Sequence, residues 1–588
     1  DPTLPRNGTD LIAYQINMPK PKLDKFAIAS TLQKIAALME IKGGKYRFKA
    51  KAYNAGARVI QSLANLDQLV AQDRLTSLPK IGEALASQVK ELYLTGESSV
   101  LKELNQEFPE GTAELSTVPG LSPVKVKQLQ TELGIKSIAE LRTAAKEGRI
   151  RELKGFGAKT EQQLLKSLDA EKTTAKKRLH INHAWNTGER MLEFVSSLDG
   201  VIELSLTGSL RRREETIDRV EVIASSKKPA ELLKLFAQFP MIISSEIKEN
   251  TCFAQLVDGA PVSLTAVEPE DFAVMLFATT GSEKHVAKIT RYAAEKDISF
   301  AILDGKRKRA PINEDEIYGR VKMQFVPPEL REDEGEIEAA LAKKLPDDLL
   351  EFSDIKGMVH CHTTYSDGSH SLEQMVTAAQ ELGMKYITIT DHSPTAFYAN
   401  GVNVDRLQRQ WDEIDELQAR VKIKILRGTE SDIVASGELD YPDRILEKFD
   451  VIVASVHARY KMDKAKMTER LVTAMRNPVY KIWGHALGRL LQRRPAFDCD
   501  VERVLDVIAE SRAAIEINGS PYRLDLEPRL VREARKRKIN FVISVDAHSM
   551  AELDYLKYGV AMARRGWLPK SEVLNTMTAA AFAKAVKP

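Results

Sequence analysis

The chain has 588 residues, of which 43% are apolar and 29% charged, and its formal net charge is +3. This composition is ordinary for a globular protein, but the length exceeds what one hydrophobic core accommodates, so we expect several domains. Three cysteines without paired spacing argue against a disulfide-stabilised secreted scaffold. The polar opening does not resemble a signal peptide, and no run of about 18 apolar residues indicates a membrane span. We therefore expect a cytoplasmic protein that does not bind membranes.

The charge is unevenly distributed along the chain. Residues 1–180 contain 29 Lys and Arg against 20 Asp and Glu, which leaves the rest with a net charge of −6. A basic N-terminal part favours partners that carry phosphate, such as nucleic acid.

Residues 23–170 are predicted to be almost entirely helical, after an extension at residues 1–22. Apolar side chains recur there at helical spacing in four clear segments, which are residues 26–39, 47–64, 84–94 and 124–133. We divide this part into two helical domains, at residues 23–95 and 96–175.

Three similar turns, at residues 78–82, 118–122 and 153–157, each precede a predicted helix. They resemble helix-hairpin-helix motifs, in which backbone N–H groups at a helix N-terminus hold a DNA phosphate without reading the sequence. Lys80 and Ser122 stand where such motifs have a small residue or glycine, so we expect the first two copies to be weaker than the third. The residues predicted to contact DNA are Pro79, Lys80, Gly82, Pro119, Gly120, Gly155 and Gly157.

Beyond a charged stretch at 171–178 the pattern becomes mixed α/β, and residues 204–212 read Leu-Ser-Leu-Thr-Gly-Ser-Leu-Arg-Arg. This stretch resembles the nucleotidyltransferase motif of family X DNA polymerases, in which Gly-Ser and an arginine hold the triphosphate. The resemblance implies a palm-like domain at residues 176–266 and a thumb-like domain at 267–330. It also implies that nucleotide would be held by Gly208, Ser209, Arg211, Thr280, Gly281 and Ser282.

The positions that carry the family's three catalytic aspartates hold Arg219, Glu221 and Ser263 here. Two-metal nucleotidyl transfer needs converging carboxylates, and a guanidinium would put a positive charge where an ion belongs. Asp218 lies one residue early, on the opposite strand face. We predict that the polymerase site is inactive, and we keep the alternative that Asp218 and Glu221 support gap-filling synthesis in a shifted register.

In the last third of the chain, short apolar runs end in histidine, aspartate or glutamate and alternate with segments of helical spacing. This alternation predicts a parallel, barrel-like α/β domain at residues 354–588 after a linker at 331–353. In such barrels the C-terminal ends of the strands form the active face. If Met358 to His362 is a strand, alternation points His360 and His362 to the same side. The candidate metal ligands at these strand ends are His360, His362, Asp367, His392, Glu430, His457, His485, Asp546 and His548.

This ordered set resembles the PHP (polymerase and histidinol phosphatase) superfamily of distorted (β/α) barrels with a three-metal phosphoesterase site. The resemblance implies up to three divalent ions held by these nine residues. Imidazole and carboxylate ligands suit manganese, zinc or iron, and we expect manganese to support activity best. The implied ligand sets are His360, His362, Glu430 and Asp546 for one ion; Glu430, His457 and His485 for a second; and Asp367, His392 and His548 for a third.

From about residue 24 onward, the order of motifs resembles bacterial family X polymerases with a C-terminal PHP domain. The leading interpretation is a DNA-binding, metal-dependent 3′–5′ exonuclease or 3′-end and abasic-site phosphodiesterase of DNA repair, with an inactive polymerase core. We expect a nucleoid-associated monomer that acts on single-stranded, gapped or damaged DNA. Besides an active polymerase, the alternatives are a DNA-end-binding protein without catalysis and a phosphatase of small esters, which would leave the three hairpin turns without a purpose.

Overall fold

The computed structural model describes residues 23–63, 66–108, 112–115, 118, 121–173, 178–298, 300 and 310–588. These residues fall into two compact units. The first holds the described residues up to Arg178 with Ala237–Ser245 and Ala254–Pro261, and the second holds Leu179–Phe236, Glu246–Phe253 and Val262–Pro588. Within these ranges, no helix combines the length and the apolar character needed to cross a membrane.

The N-terminal part is helical, as predicted, and helices α1, α2, α4 and α7 match the four periodic segments to within a few residues. Helix α1 begins after Asp24, whose side chain accepts a hydrogen bond from the backbone N–H of Ala27, and it buries Leu32 and Ile35 completely. The helices are Lys25–Lys42 (α1), Tyr46–Ser62 (α2), Leu66–Ala71 (α3), Glu83–Thr95 (α4), Ser99–Glu107 (α5), Thr112–Leu115 (α6), Pro123–Leu133 (α7), Ile138–Lys146 (α8) and Ala158–Thr173 (α9).

The three hairpin turns share one backbone hydrogen bond, from the fourth residue of each turn to the first. Its N···O distance is 3.2 Å from Ile81 to Leu78, 3.1 Å from Leu121 to Val118 and 3.0 Å from Phe156 to Leu153.

The third residue of a hairpin turn adopts a left-handed conformation, with φ of +65° at Lys80 and +87° at Gly155. Glycine adopts this conformation freely, whereas a lysine pays about 1 kcal/mol for it. In the middle turn, Pro119 and Gly120 lie outside the described residues.

The middle part of the chain is mixed α/β, as predicted. Strand β2 pairs antiparallel with β4, β4 pairs parallel with β7, and the sheet order is β2, β4, β7, β6, β5. The strands are Leu179–His180 (β1), Glu203–Thr207 (β2), Thr216–Ile217 (β3), Val220–Ser225 (β4), Ile242–Lys248 (β5), Thr251–Leu256 (β6) and Pro261–Val267 (β7). The helices are Ile181–Ser196 (α10), Gly208–Arg211 (α11) and Pro229–Phe236 (α12).

In the described residues that follow, helices lie at Phe272–Thr280 (α13), Glu283–Ala294 (α14), Glu314–Arg320 (α15) and Glu336–Leu341 (α16). Helix α16 lies inside the stretch 331–353, which we expected to be a linker. Its Ile337 and Ala340 join Phe277 and Ile289 in one hydrophobic cluster, so this stretch packs with the preceding helices.

The C-terminal part is a seven-stranded parallel sheet in the order β14, β13, β12, β11, β10, β9, β8. Its two edges meet where Cys361 bridges to Ala547, so the sheet closes almost completely into the predicted barrel. The strands are Gly357–Cys361 (β8), Tyr386–Ile389 (β9), Lys424–Asp432 (β10), Val451–Ser455 (β11), Lys481–Trp483 (β12), Ala513–Asn518 (β13) and Phe541–Ser544 (β14).

Apolar strand residues fill the interior of the barrel, among them Val359, Leu426, Val453, Ile482 and Val542. Because helices cover a parallel sheet, its strands are buried along most of their length. The helices are Leu372–Glu381 (α17), Val404–Gln418 (α18), Asp443–Leu446 (α19), Lys464–Arg476 (α20), Val501–Glu510 (α21), Pro528–Lys536 (α22), Leu556–Arg565 (α23) and Ala579–Ala585 (α24).

Candidate metal centre

Eight of the nine candidate ligands form three overlapping groups at the C-terminal ends of the barrel strands, with one ligand atom from each residue within 4.8 Å of the others in its group. The ninth, His485, adjoins them, because its Nε2 atom lies 2.8 Å from Oε1 of Glu430. The structure therefore brings all nine side chains together. The three groups are His360, His362, Glu430 and Asp546; His362, Asp367, His392 and His548; and His392, Glu430 and His457.

Glu430 lies at the centre of this cluster and is buried. A carboxylate in this position can bridge two ions. Its two oxygens lie 2.8–3.5 Å from ring nitrogens of five histidines, which are His360, His362, His392, His457 and His485.

The backbone at His360 is not a regular strand. His360 has a φ of +64°, the pairing register shifts between Met358 and Cys361, and β8 ends before His362. Alternation along a strand from Met358 to His362 is therefore the wrong explanation for the convergence of the two histidines. A bulge turns the His360 ring toward that of His362, with 5.2 Å between the ring centroids.

Two other candidate ligands have left-handed backbones, with φ of +24° at His485 and +53° at Asp546. Such conformations cost about 1–3 kcal/mol each and persist where the surrounding structure over-determines them.

A second layer of groups orients the histidine rings. Oε1 of Glu516 lies 2.5 Å from Nδ1 of His360, and Oδ1 of Asp432 lies 2.8 Å from Nδ1 of His457. In both rings Nε2 is left facing the cluster, which is the arrangement that metal-binding histidines typically have.

Neither of these carboxylates was predicted from the sequence. Glu516 nevertheless had a signal, because it is an ionisable residue inside the apolar strand Ala513–Asn518, where such residues are rarely buried without a partner. Asp432, at the end of β10, had no comparable signal.

The buried atoms of the cluster fit divalent ions. Six of them have no hydrogen bond: Nδ1 of His362, Nδ1 of His485, and four atoms that each lie within 3.5 Å of another ligand atom, which are Nε2 of His360, Nε2 of His362, Nδ1 of His392 and Oε2 of Glu430. A buried polar atom left without a partner costs about 1–3 kcal/mol. The last four atoms lie close together without the geometry of hydrogen bonds, as expected when lone pairs point at a shared ion. Nitrogen and oxygen donors of this kind suit manganese, zinc or iron.

The electrostatics of the cluster favour an anionic Glu430 and a neutral His362, whereas neighbouring carboxylates outweigh burial and raise the pKa of His360, His457 and His548. Burial alone would raise the pKa of Glu430, but His457 and His360 outweigh it and hold that pKa well below its usual range. Burial, together with His548 and His392, lowers the pKa of His362 to about 3. Glu430 is thus anionic and His362 neutral at neutral pH.

An exposed tyrosine adjoins the cluster, and an exposed phenylalanine precedes it in the chain. Phe397 is 88% exposed and Tyr398 is 69% exposed. The centroid of the Tyr398 ring lies 6.2 Å from that of His392 and 6.3 Å from that of His457. An open apolar surface therefore adjoins the candidate ligands.

The three residues predicted to replace polymerase aspartates, Arg219, Glu221 and Ser263, do not form a carboxylate cluster. Glu221 pairs in register with Ser263, and the guanidinium of Arg219 stacks over Phe253 with 4.9 Å to the ring centroid. Burial, followed by the charge of Asp218, raises the pKa of Glu221 to about 7. Glu221 also lies against the backbone of Gly208, so that a side chain at Gly208 would collide with it.

The residues predicted to hold nucleotide make contacts within the protein. Arg211 donates to Oγ1 of Thr280 at 2.6 Å and forms an ion pair with Glu314, also at 2.6 Å. Oγ of Ser282 caps helix α14 by accepting the backbone N–H of His285 at 3.2 Å. Ser209 directs its Oγ to Oδ1 of Asp218, at 3.4 Å.

Comparison with known families matches three regions of the chain. A PHP domain covers residues 359–520, a helix-hairpin-helix domain covers residues 24–98, and a SAM-like helix-hairpin-helix tandem covers residues 112–170.

Among curated proteins, the DNA polymerase/3′-5′ exonuclease PolX of Bacillus subtilis is 33% identical over 567 residues, which cover 94% of this chain and 97% of that protein. A probable phosphatase of Caldanaerobacter subterraneus is 28% identical, covering 37% of this chain and 85% of its own length. A probable phosphatase of Caldicellulosiruptor bescii is 29% identical, covering 33% of this chain and 80% of its own length.

Proposed function

This chain belongs to the PolX family, the bacterial family X DNA polymerases with a C-terminal PHP domain, and from that premise we propose that it is a DNA-binding, metal-dependent phosphodiesterase. Its reaction would be 3′–5′ exonucleolytic cleavage or the processing of 3′ ends and abasic sites in DNA repair. The observation that carries this proposal is the convergence of nine imidazole and carboxylate side chains on one face of the barrel.

We assign the nine residues to up to three divalent ions, with manganese as the ion that best supports activity. Such ions polarise a phosphodiester and stabilise the charge that develops on its oxygens. The protein contributes Glu516 and Asp432, which hold the rings of His360 and His457 with Nε2 toward the centre.

DNA is the proposed partner, held through its phosphates by the helical domains at residues 23–95 and 96–175. Basic charge in this part of the chain and the helix-hairpin-helix matches support that assignment. At the barrel, Phe397 and Tyr398 provide exposed rings on which unstacked bases can pack. Neither feature is needed for a small phosphate ester, which is why DNA is preferred as the substrate over the small esters of a phosphatase. We propose that the protein acts as a monomer, in the bacterial cytoplasm and close to the nucleoid.

We further propose that the polymerase-like core, which comprises the palm-like and thumb-like domains at residues 176–330, does not synthesise DNA. The Bacillus subtilis relative is named a DNA polymerase as well as an exonuclease, which favours the alternative of an active gap-filling enzyme. Against it stand Arg219 in place of a carboxylate and the engagement of Arg211 with Glu314, because nucleotide would have to displace a partly buried ion pair.

The proposal is tested with the intact chain, loaded with Mn²⁺ or Mg²⁺, on 5′-labelled single-stranded, gapped and abasic DNA. We expect shortening from the 3′ end that is faster with Mn²⁺. The variant with His360→Ala and His362→Ala should lose it while binding DNA as before, and His370→Ala, a barrel histidine outside the three groups, serves as the matched control.

Undiminished digestion by the double variant would refute the assignment to the barrel. Hydrolysis of p-nitrophenyl phosphate without cleavage of any DNA would instead favour a small-ester phosphatase. DNA binding without hydrolysis of any substrate would favour the end-binding alternative.

A further inference from the structure

The loop that follows β13, residues 519–525, reaches the metal centre through Arg523. Nε of Arg523 lies 3.2 Å from Oδ2 of Asp546, whose other oxygen lies 3.2 Å from Nε2 of His362. The Arg523 side chain is only 17% exposed. Because a carboxylate with two oxygens shared between a guanidinium and a histidine has little rotational freedom, the position of the 519–525 loop sets the orientation of Asp546.

The backbone of this loop is held by Arg489, which lies just after β12 and the candidate ligand His485. Nε of Arg489 donates to the carbonyl oxygen of Arg523 at 2.8 Å, and Nη2 donates to the carbonyl oxygen of Leu524. The Arg489 side chain is 11% exposed. A planar guanidinium that donates to two successive carbonyls defines the path of the loop more closely than a single bond would.

The charge of Arg489 is balanced from outside the barrel, by Glu215. Nη2 of Arg489 lies 2.7 Å from Oε1 of Glu215 and Nη1 lies 3.4 Å from Oε2, so both carboxylate oxygens face the guanidinium. Two further carboxylates lie near Arg489: Asp525, in the loop itself, and Glu527, whose oxygen at 3.7 Å is beyond hydrogen-bond distance. Glu215 belongs to the segment directly after the nucleotide motif of the polymerase-like core.

A second contact from the same core reaches the 519–525 loop. The ring of His180, in β1, meets that of Tyr522 edge to face with centroids 5.0 Å apart. Nδ1 of His180 lies 3.2 Å from the carbonyl oxygen of Pro521. The loop is thus supported by the polymerase-like core at two places.

We infer that Glu215 is a positioning residue of the metal centre, acting through Arg489 and the 519–525 loop on Asp546. The polymerase-like core then serves the barrel as a brace, a role that needs neither nucleotide nor catalytic aspartates. The inference extends the proposed function and rests on it for the readout of hydrolysis, but not for the readout of metal binding.

The test uses the full chain carrying Glu215→Gln, which removes the charge and keeps the size. We expect Mn²⁺ affinity, measured by competition with a chelator, to fall about 10-fold and kcat on single-stranded DNA to fall about 10- to 100-fold. KM should be unchanged, because Glu215 contacts Arg489 rather than the proposed DNA surface. Glu215→Asp, which keeps the charge, should recover most of both losses.

Two further variants make the result specific. Arg489→Lys keeps a positive charge beside Glu215 but lacks the planar guanidinium that bonds two loop carbonyls and a carboxylate at once, so it should reproduce the losses of Glu215→Gln. Glu214→Gln is the matched control, because the carboxylate of Glu214 pairs with Arg212.

Wild-type Mn²⁺ affinity and kcat in Glu215→Gln would overturn the inference. Equal losses in Glu214→Gln would also overturn it, because the effect would then be a general loss of stability. If the wild-type chain binds Mn²⁺ but hydrolyses no DNA, the proposed function fails while the affinity measurement still decides the role of Glu215.

Discussion

Glu516 holds two candidate ligands at once: its Oε1 lies 2.5 Å from Nδ1 of His360, and its Oε2 accepts the backbone N–H of His485. The side chain is completely buried within β13. One carboxylate therefore connects β8, which carries His360, to the segment after β12, which carries His485.

Glu516→Gln should weaken metal binding by about 10- to 100-fold, because His360 loses the charged acceptor that orients its ring and raises its basicity. The measurement is Mn²⁺ titration with elemental analysis of the loaded protein. Glu510→Gln, an exposed carboxylate at the end of α21, is the control. If Glu516→Gln leaves the metal affinity unchanged, Glu516 does not orient the His360 ring for metal binding.

Replacing both Phe397 and Tyr398 by alanine should raise KM for single-stranded DNA, because each lost stacking contact with a base is worth about 1–3 kcal/mol. Hydrolysis of bis-p-nitrophenyl phosphate, which has no base to stack, should be unaffected. Steady-state kinetics on the two substrates make the comparison. Equal losses on both would point to damage of the metal centre instead.

The chain should not extend a primer on gapped DNA above background. The positions aligned with three aspartates hold Arg219, Glu221 and Ser263, whose formal charges sum to zero rather than −3. The assay needs the background with His360→Ala and His362→Ala, so that hydrolysis cannot mask synthesis. Template-dependent extension would refute the prediction, and its loss on Asp218→Ala would identify a shifted register.

Glu221→Gln should make stability less dependent on pH. Burial raises the pKa of Glu221 from 4.5 to about 7, so in this window the folded protein keeps a proton that the unfolded chain releases. The free energy of unfolding therefore falls by up to about 3 kcal/mol as the pH rises from about 4.5 to about 7. It stays at this lower value at higher pH.

Calorimetric unfolding at pH 5 and pH 8 tests this linkage. Glu221→Gln should unfold at a higher temperature than wild type at pH 8, with a smaller difference at pH 5. Glu203→Gln, at the exposed start of β2, is the control. Parallel pH profiles for wild type and Glu221→Gln would contradict the raised pKa.

Lys80→Gly should stabilise the first hairpin by about 1 kcal/mol, because glycine adopts a φ of +65° without strain. If the exposed Lys80 contacts a phosphate, the same substitution should make the slope of log affinity against log salt less negative by about 0.9. DNA binding by the full chain over a salt series measures the slope. Lys90→Ala, in an exposed pair with Asp73, should leave it unchanged, and an unchanged slope in Lys80→Gly would exclude the contact.

Local sequence was enough to predict the helices and hairpins of the N-terminal part and the alternation of strands and helices in the barrel. Each of these follows from interactions between residues close in the chain, such as the i to i+4 spacing of apolar positions in α1 or the four-residue turn at Leu78. The nine candidate ligands were found for the same reason. Eight of them lie within four residues of the end of a strand, where a parallel barrel gathers side chains, and Asp367 lies six residues after β8.

Tertiary structure decided how those groups meet. Arg211 pairs with Glu314 across 103 positions, Glu516 contacts His360 across 156, and Glu215 reaches Arg489 across 274. The sequence by itself determined which chemical groups stand at the strand ends and in what order. Only the packing of distant segments decided which buried charges face each other. Such pairs form where two segments that are far apart in the chain exclude water together, so the spacing of residues along the chain does not predict them.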